Sequence, residues 1–462
     1  MKKIMKCAIS MLTMLAIMVT CCSCGKDEAK KTGNKKVTVT LWTSVGSDAA
    51  PVEKERHDLQ MKRVREKFPQ YEIKEVLMQT GTDYRQMYDK NLMAGLAPTL
   101  FTEFSYTDIP TRIKNGTIAD MTEFVNEWQY KKDGKVITQF DEAISKDGKW
   151  YAIPRDAYVQ ATLCNKKLVA AGGGNPDSFP TTWAEFAEEG QKITDFSVPR
   201  IGYALLGQDW CAWPFTGWVW SAGGEMVRKN ADGKYKLSFT EAPAVDAAIF
   251  MNEMIWKYKM TQKNVLQAFS DTSADIVGGR AAYSWASIAD FKESDLQNYG
   301  LSYKDFGMMT MPVKDASIKS PALSGGEVCT FNPKSTKEEL KAAWEIANFM
   351  YYDDEELQAQ WDFMNEKGIF DVKIPARSDL LEKKLTSLKN IPESISRDVL
   401  KLSETAIAEP FCPNWSDVKT ALVIPLQKIF LTENISRAEA EKLLNECAAT
   451  LYSQYPDSFS EK

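Results

Sequence analysis

The chain of 462 residues contains one histidine, and that scarcity removes most histidine-dependent chemistry at the outset. A nucleophile–histidine–acid arrangement could form only at His57, inside the run Glu53-Lys54-Glu55-Arg56-His57-Asp58. Such a charge-rich run reads as an exposed helix face without nearby ligating residues, so neither catalysis nor a metal is expected there. Basic runs are missing as well. The net charge is −6, with no basic face or tail, which argues against nucleic acid as a partner. The apolar stretch Cys7–Val19 covers about 13 residues, short of the roughly 20 that a membrane-spanning helix needs. Beyond residue 24 there are five cysteines: Cys164, Cys211, Cys329, Cys412 and Cys447. An odd number at wide spacing fits neither a disulfide framework nor a zinc site, and most are expected to be buried small apolar residues.

What is present begins with the leader. Lys2, Lys3 and Lys6 precede the apolar stretch and small residues follow it, the layout of an export signal. The segment Thr20-Cys21-Cys22-Ser23-Cys24-Gly25 resembles a bacterial lipobox, in which the cysteine after the cleavage site receives lipid. Cys24 is the favoured acceptor, because the small Ser23 precedes it and Gly25 follows. Cys21 stands where the pattern usually has leucine. Residues 1–24 are therefore read as a lipoprotein signal peptide, and the polar, charged residues 25–36 as a flexible tether. Lipid contributes about 0.8 kcal/mol per buried CH₂, so several chains on one cysteine would hold the protein at the outer face of the cell membrane.

A chain of this length is expected to form two or more domains. Folding starts at the β-branched strand Val37–Trp42. A helix then runs to about Phe68, Tyr71–Met78 is a strand, and Tyr84–Leu96 is a helix with Met87, Leu92 and Met93 on one side. The strand Leu100–Phe104 completes a βαβαβ alternation, which implies a mostly parallel sheet with helices on it. Ligands bind beyond the carboxyl ends of such strands, here after Trp42 and after Phe101. Further helices are read at Trp183–Ile193, with a threonine cap ahead of an acidic first turn, at Val245–Tyr258 and at Lys337–Tyr352. No short-period repeat occurs, so two α/β lobes are the economical reading.

The order of these segments resembles the extracellular solute-binding proteins of ABC importers, in particular the sugar-binding family that includes maltodextrin-binding protein. The matching stretches span most of residues 37–450. They are Thr82-Asp83-Tyr84 through Ala94-Gly95-Leu96-Ala97-Pro98, Gly148–Pro154 followed by Cys164-Asn165-Lys166, Pro180–Phe186, Gly279–Tyr283, Ser324-Gly325-Gly326 ahead of the helix with Ala342–Glu345, and Ile374–Arg377. Thr99 departs from the pattern, which usually has aspartate there. The resemblance implies a periplasmic-binding-protein-like fold of type II: two α/β lobes of discontinuous chain, three crossings, and a ligand cleft between the lobes. The crossings would fall near Asp156–Ala161, near Ser324–Gly326 and just after Ile374. Lobe 1 would then comprise residues 37–157 and 327–376, and lobe 2 residues 158–324 and 378–462. Gly325-Gly326 suits a crossing, since glycine absorbs backbone rotation cheaply.

A sugar offers apolar C–H faces and a rim of hydroxyls, so its receptor needs flat aromatic surfaces and short polar groups. With 13 Trp and 17 Tyr the chain can supply both. The segment Gln208-Asp209-Trp210-Cys211-Ala212-Trp213-Pro214 looks like the family's cleft-facing loop of the second lobe, which makes Trp210 the leading stacking candidate, with Gln208 and Asp209 as hydroxyl partners; Trp285 and Trp415 match aromatic platforms of the family. Trp218 and Trp220 are open between helix core and cleft, whereas Trp42, Trp183 and Trp344 are read as core. From the first lobe come Ser44, Glu103, Ser105 and Tyr106, with Arg155 and Asp156 at the first crossing and Asp83 and Tyr84 as weaker candidates. The resemblance implies a monomer without cofactor, which captures an oligosaccharide and passes it to the membrane subunits of an ABC permease. Two rivals stay open: the same fold carrying a peptide, polyamine or metal, and a secreted glycan-active enzyme drawing a carboxylate pair from Glu103, Asp156 and Asp209.

Overall fold

In the first strand, Val39 and Leu41 face one layer of the core while Trp42 faces the other, as the twofold alternation of a strand requires. Both faces of this sheet are therefore covered. The structure is a computed structural model that describes residues 36–43, 45, 49–78, 84–288 and 291–461. Residues 1–35, which hold the expected leader, the expected lipid acceptor Cys24 and most of the expected tether, lie outside the described residues, as do Ser44 and Asp83.

The strands of the main sheet are β1 (Val37–Thr43), β2 (Tyr71–Leu77), β3 (Leu100–Ser105), β4 (Ala152–Asn165), β5 (Ile201–Ala204), β6 (Ala281–Ala286), β7 (Phe306–Met309), β8 (Leu323–Phe331), β9 (Ile374–Pro375) and β10 (Ile407–Ala408). They join in one sheet of order β2-β1-β3-β8-β4-β6-β5, with β7 and β9 also on β4 and β10 on β8. Pairing is parallel within β2-β1-β3 and between β6 and β5. It is antiparallel from β3 through β8 and β4 to β6. The sheet is thus mixed rather than mostly parallel, because the strands that link its two halves run against their neighbours.

β4 is the pivot of this arrangement. Its first nine residues, Ala152–Gln160, pair with β8, and its end, Ala161–Asn165, pairs with β6 and β7. The short β9 lies against Ala157 and Asp156 of the same strand. Gly325 and Gly326 sit on β8 here, and neither adopts a left-handed conformation. Their need for glycine is steric. A Cβ on Gly325 would fall 2.2 Å from the ring of Tyr158, and one on Gly326 would fall 2.5 Å from the Asp156 carbonyl. Close approach of a ring and a backbone, not rotation, explains the pair.

The helices used below are α1 (Pro51–Lys67), α2 (Tyr84–Ala94), α3 (Trp183–Ile193), α4 (Ala212–Ser221), α5 (Ala242–Trp256), α6 (Phe269–Val277), α7 (Lys337–Tyr352), α8 (Asp354–Lys367) and α9 (Trp415–Leu431). Helix α3 begins with the expected cap: Thr182 Oγ1 accepts from the Glu185 amide (3.3 Å) and Glu185 Oε2 accepts from the Thr182 amide (3.0 Å). Helix α1 buries His57, Met61 and Val64 at helical spacing. His57 is therefore not on an exposed face; its Nε2 lies 2.6 Å from Glu75 Oε2 of β2. Met93 of α2 points to solvent rather than joining Leu92 in the core. At the turn where Thr99 replaces aspartate, its Oγ1 accepts from the Thr40 amide at 3.1 Å and holds β1 in place.

Trp42, Trp183, Trp218 and Trp220 are core residues, and Trp344 packs partly buried against the layer that holds Val39, Leu41 and Trp128. Trp218 is central: it meets Trp183, Phe186, Tyr203 and Phe250 edge-on or tilted. The five cysteines beyond the leader are all free and buried. Burial pushes their thiols up, Cys211 to about 12 and Cys447 to about 11, so they are inert packing residues.

Candidate functional site

Charged side chains from β3, from both long central strands and from the approach to β9 interlock on β4. The Arg155 guanidinium donates from Nη1 to Glu103 Oε1 and to the Thr102 carbonyl, both at 2.8 Å. Its Nε reaches Asp156 Oδ2 and its Nη2 reaches Glu327 Oε2, each at 3.1 Å. Lys373 Nζ stands further off, 3.7 Å from Asp156 Oδ2 and 3.8 Å from Glu327 Oε2. Burial disfavours the Arg155 charge, but Asp156, Glu103 and Glu327 outweigh it and hold the guanidinium well above its ordinary value. Burial would likewise raise Asp156, yet Arg155 and Lys373 keep that carboxylate well below the usual range. Glu327 goes the other way: burial first, then the charge of Asp156, push it up to about 7.

Two cavities adjoin this cluster. One, of about 760 Å³, has walls of Tyr84, Tyr158, Trp210, Trp213 and Phe269. Between these rings lie Ser105, Gln160, Asp209, Ser287, Glu327, Glu409 and Lys419. The other, of about 710 Å³, is bounded by the first turns of α1, by α8, by Phe291–Ser294 and by Glu103, Arg155 and Asp156. Lys373 lines both.

The aromatic cavity has the features of a wet, stacking site. Trp210 is 61% exposed and has a φ of 74°. That left-handed backbone costs an ordinary residue about 1–2 kcal/mol, and here it holds an apolar ring out of the core, tilted 51° to Phe269 at 5.9 Å. Trp213 is half-buried and meets Tyr158 and Trp285 edge-on at 6.4 Å. Its indole N–H, and the side-chain amide nitrogen of the buried Gln160, have no acceptor among the described residues. Buried donors of this kind are normally satisfied. Burial raises the Tyr84 phenol, which therefore stays neutral and able to donate.

The expected residues divide accordingly. Ser105, Asp209 and Trp210 come together in the aromatic cavity, with Tyr84 beside them. Glu103, Arg155 and Asp156 line the second cavity. Gln208 is exposed on the surface and lines neither. Three aromatic candidates are core residues here. Tyr106 is fully buried, stacked on Phe140 at 4.1 Å, with its hydroxyl pointed at the carbonyls of Ser324 (3.0 Å) and Glu409 (3.2 Å). Trp285 is 3% exposed, and its ring packs on Gly217, where a Cβ would come within 3.1 Å. Trp415 is fully buried and donates from Nε1 to Glu409 Oε1 at 2.9 Å. A buried ring offers no open face, and the rings that line the aromatic cavity beside Trp210 are instead Trp213 and Tyr158. Trp213 lies within the segment singled out in the sequence, and Tyr158 within the first crossing. Glu327 and Lys373 each adjoin a crossing, while nothing in the local sequence marks Phe269.

Long strands shared between two halves, with a lined cleft at their junction, define a two-lobed ligand-binding protein with the periplasmic-binding-protein-like fold of type II. Residues 60–370 match the bacterial extracellular solute-binding protein family, and the chain belongs to it. It is 24% identical over 207 residues to the arabinooligosaccharide-binding protein of Bacillus subtilis, covering 44% of this chain and 44% of that one. It is 23% identical over 293 residues to the maltotriose-binding protein of Pyrococcus abyssi, covering 61% and 56% respectively. The chain thus spans about half the length of the curated relatives it matches. A solute-binding protein of an ABC transporter from Thermotoga lettingae, bound with α-D-tagatose, superposes with a TM-score of 0.72 at 20% identity, covering 90% of this chain and 100% of that one.

Proposed function

We propose that this chain is an exported solute receptor that captures an oligosaccharide in its aromatic cavity and delivers it to an ABC permease. The observation that carries the reading is Trp210, an exposed ring on a left-handed backbone at a cavity of about 760 Å³. That volume falls within the roughly 300–1,000 Å³ of small-molecule sites. Rings interleaved with neutral donors and paired charges suit stacked sugar faces and their hydroxyls better than a polyamine. The carboxylates Glu327 and Glu409 in the cavity are already engaged by Arg155, Lys373 and Lys419, which leaves Asp209 as an acceptor for a ligand hydroxyl.

In this reading, residues 37–157 and 327–376 form lobe 1, and residues 158–324 and 378–462 form lobe 2. Ligand contacts made to both lobes favour the closed form by the ligand's differential affinity for the two states. Cys24 carries the lipid, and tethering keeps the receptor concentrated near the permease. Replacing Cys24 with alanine should release the chain from the membrane fraction into the medium. Titration of intrinsic tryptophan fluorescence with maltotriose and arabinotriose tests the binding claim. A saturable change is expected, and its absence in wild type with both sugars would count against it.

A further inference from the structure

Glu327 and Asp156 are Cα partners in the antiparallel pair of β8 and β4. Side chains directly opposite one another project to the same face of a sheet, and two like charges so placed repel. A proton on one of them removes the repulsion. Asp156 also has room for such a donor. Its Oδ2 is engaged by Arg155 at 3.1 Å and faces Lys373 at 3.7 Å, whereas its buried Oδ1 has no donor among the described residues.

The charges around the pair give the same answer. From β3 comes Glu103, from β4 Arg155 and Asp156, and from the segment before β9 Lys373. Tyr84 of α2 also faces Glu327 and stays neutral. Behind Lys373, Asp371 and Lys384 compensate each other at 3.0 Å. Three carboxyl groups thus meet two cations, and the cluster is neutral when one carboxyl holds a proton. The value of about 7 for Glu327, against a depressed Asp156, identifies which one.

We propose that Glu327 and Asp156 share a proton, and that ligand capture in the aromatic cavity is coupled to uptake of this proton by Glu327. The coupling rests on the sugar reading above. Glu327 and Lys373 line that cavity, so a ligand displaces solvent from the one carboxyl of the pair that faces it. Loss of solvent disfavours the charged form, and a neutral carboxylic acid can both donate to and accept from sugar hydroxyls. The bound state therefore holds the proton more tightly than the free state. By linkage, affinity must fall as pH rises above neutrality and level off below it.

Two measurements test this. Infrared titration of the ligand-free protein, wild type minus Glu327→Gln, should show a carboxylic-acid band that persists to neutral pH and is missing from the variant. Its disappearance by pH 5 would overturn the shared proton. Calorimetry with maltotriose and arabinotriose should show Kd rising about three- to tenfold from pH 6.5 to 8.5 in wild type, with heats that depend on buffer ionisation enthalpy in the sense of proton uptake. Glu327→Gln should give a flat profile. A flat wild-type profile, or proton release, would overturn the coupling while leaving sugar binding intact. Failure of both sugars to bind at any pH would sink the sugar reading and the coupling with it, and the infrared band would then report on the proton pair alone.

Discussion

The indole of Trp415 donates to Glu409 from wholly inside the core, Nε1 to Oε1 at 2.9 Å. Glu409 in turn lines the aromatic cavity and pairs with Lys419 at 2.7 Å. An aromatic residue that resembles a ligand platform thus acts one layer behind the cavity wall, fixing a carboxylate that lines the cavity. Replacing Trp415 with phenylalanine keeps most of the bulk and removes the donor. We expect a loss of about 1–3 kcal/mol in stability and severalfold weaker sugar binding, measured by urea denaturation and calorimetry. Trp415→Ala should cost about 3–5 kcal/mol through the cavity it leaves. Affinity unchanged in Trp415→Phe would show that Glu409 needs no such hold.

Trp210→Ala should behave in the opposite way. The ring is mostly exposed, so its removal should leave the melting temperature within a degree or two. Sugar affinity should fall tenfold or more, since a stacked aromatic contributes about 1–3 kcal/mol by analogy with base stacking. Trp210→Gly should also remove the left-handed strain, so its stability should equal or exceed that of the alanine variant. Unchanged affinity in both would move the stacking role to Trp213 and Tyr158.

Stability should depend on pH through the same cluster. Glu327 is raised from 4.5 to about 7 in the folded protein. A carboxyl so raised binds its proton more tightly when folded. Its contribution is complete below 4.5, declines across the interval up to about 7 and is absent above it. Asp156 works with the opposite sign: held below 3.8, it stabilises above that value and loses its contribution only as pH falls further. Urea denaturation of the ligand-free chain at pH 5 and pH 8 should therefore show lower stability at pH 8. Glu327→Gln should shrink the difference. An undiminished difference in the variant would assign it to other groups.

Gly325→Ala tests the crossing. The added Cβ would meet the phenol end of Tyr158 at 2.2 Å, so the whole ring must shift to admit it. A cost of about 1–3 kcal/mol is expected from the overpacking, and Tyr158→Ala in the same chain should recover part of it. Full stability in the single variant would mean that the ring moves freely, which its place in the cavity wall argues against.

Much of the architecture was legible in the sequence because it is written in local periodicity. The β-branched run at Val37, the prolines after α1 and α2, and the Thr182–Glu185 capping box all act within a few residues. The antiparallel centre was not, since nothing in β4 or β8 alone states which neighbour it will meet. At the site, Trp210 and Asp209 stood out by resemblance to the family's cleft-facing loop. Trp285 and Trp415 stood out by the same kind of resemblance, but packing buries them: Gly217 admits one ring, and Glu409 draws in the other. Glu327, Lys373 and Phe269 gain their significance only when strands and helices distant in sequence converge on one cavity. Long-range register, not residue type, makes Glu327 unusual.

The central claim, that the aromatic cavity captures an oligosaccharide, is tested most directly by a thermal-shift screen of the chain from residue 25 onward. The panel should contain soluble oligosaccharides, amino acids, peptides and polyamines. A ligand at a hundredfold excess over its Kd stabilises by about 2.7 kcal/mol, a shift well within reach of the method. The expected result is stabilisation by one or more oligosaccharides, lost in Trp210→Ala. Stabilisation by polyamines or peptides alone, with every oligosaccharide inert, would contradict it.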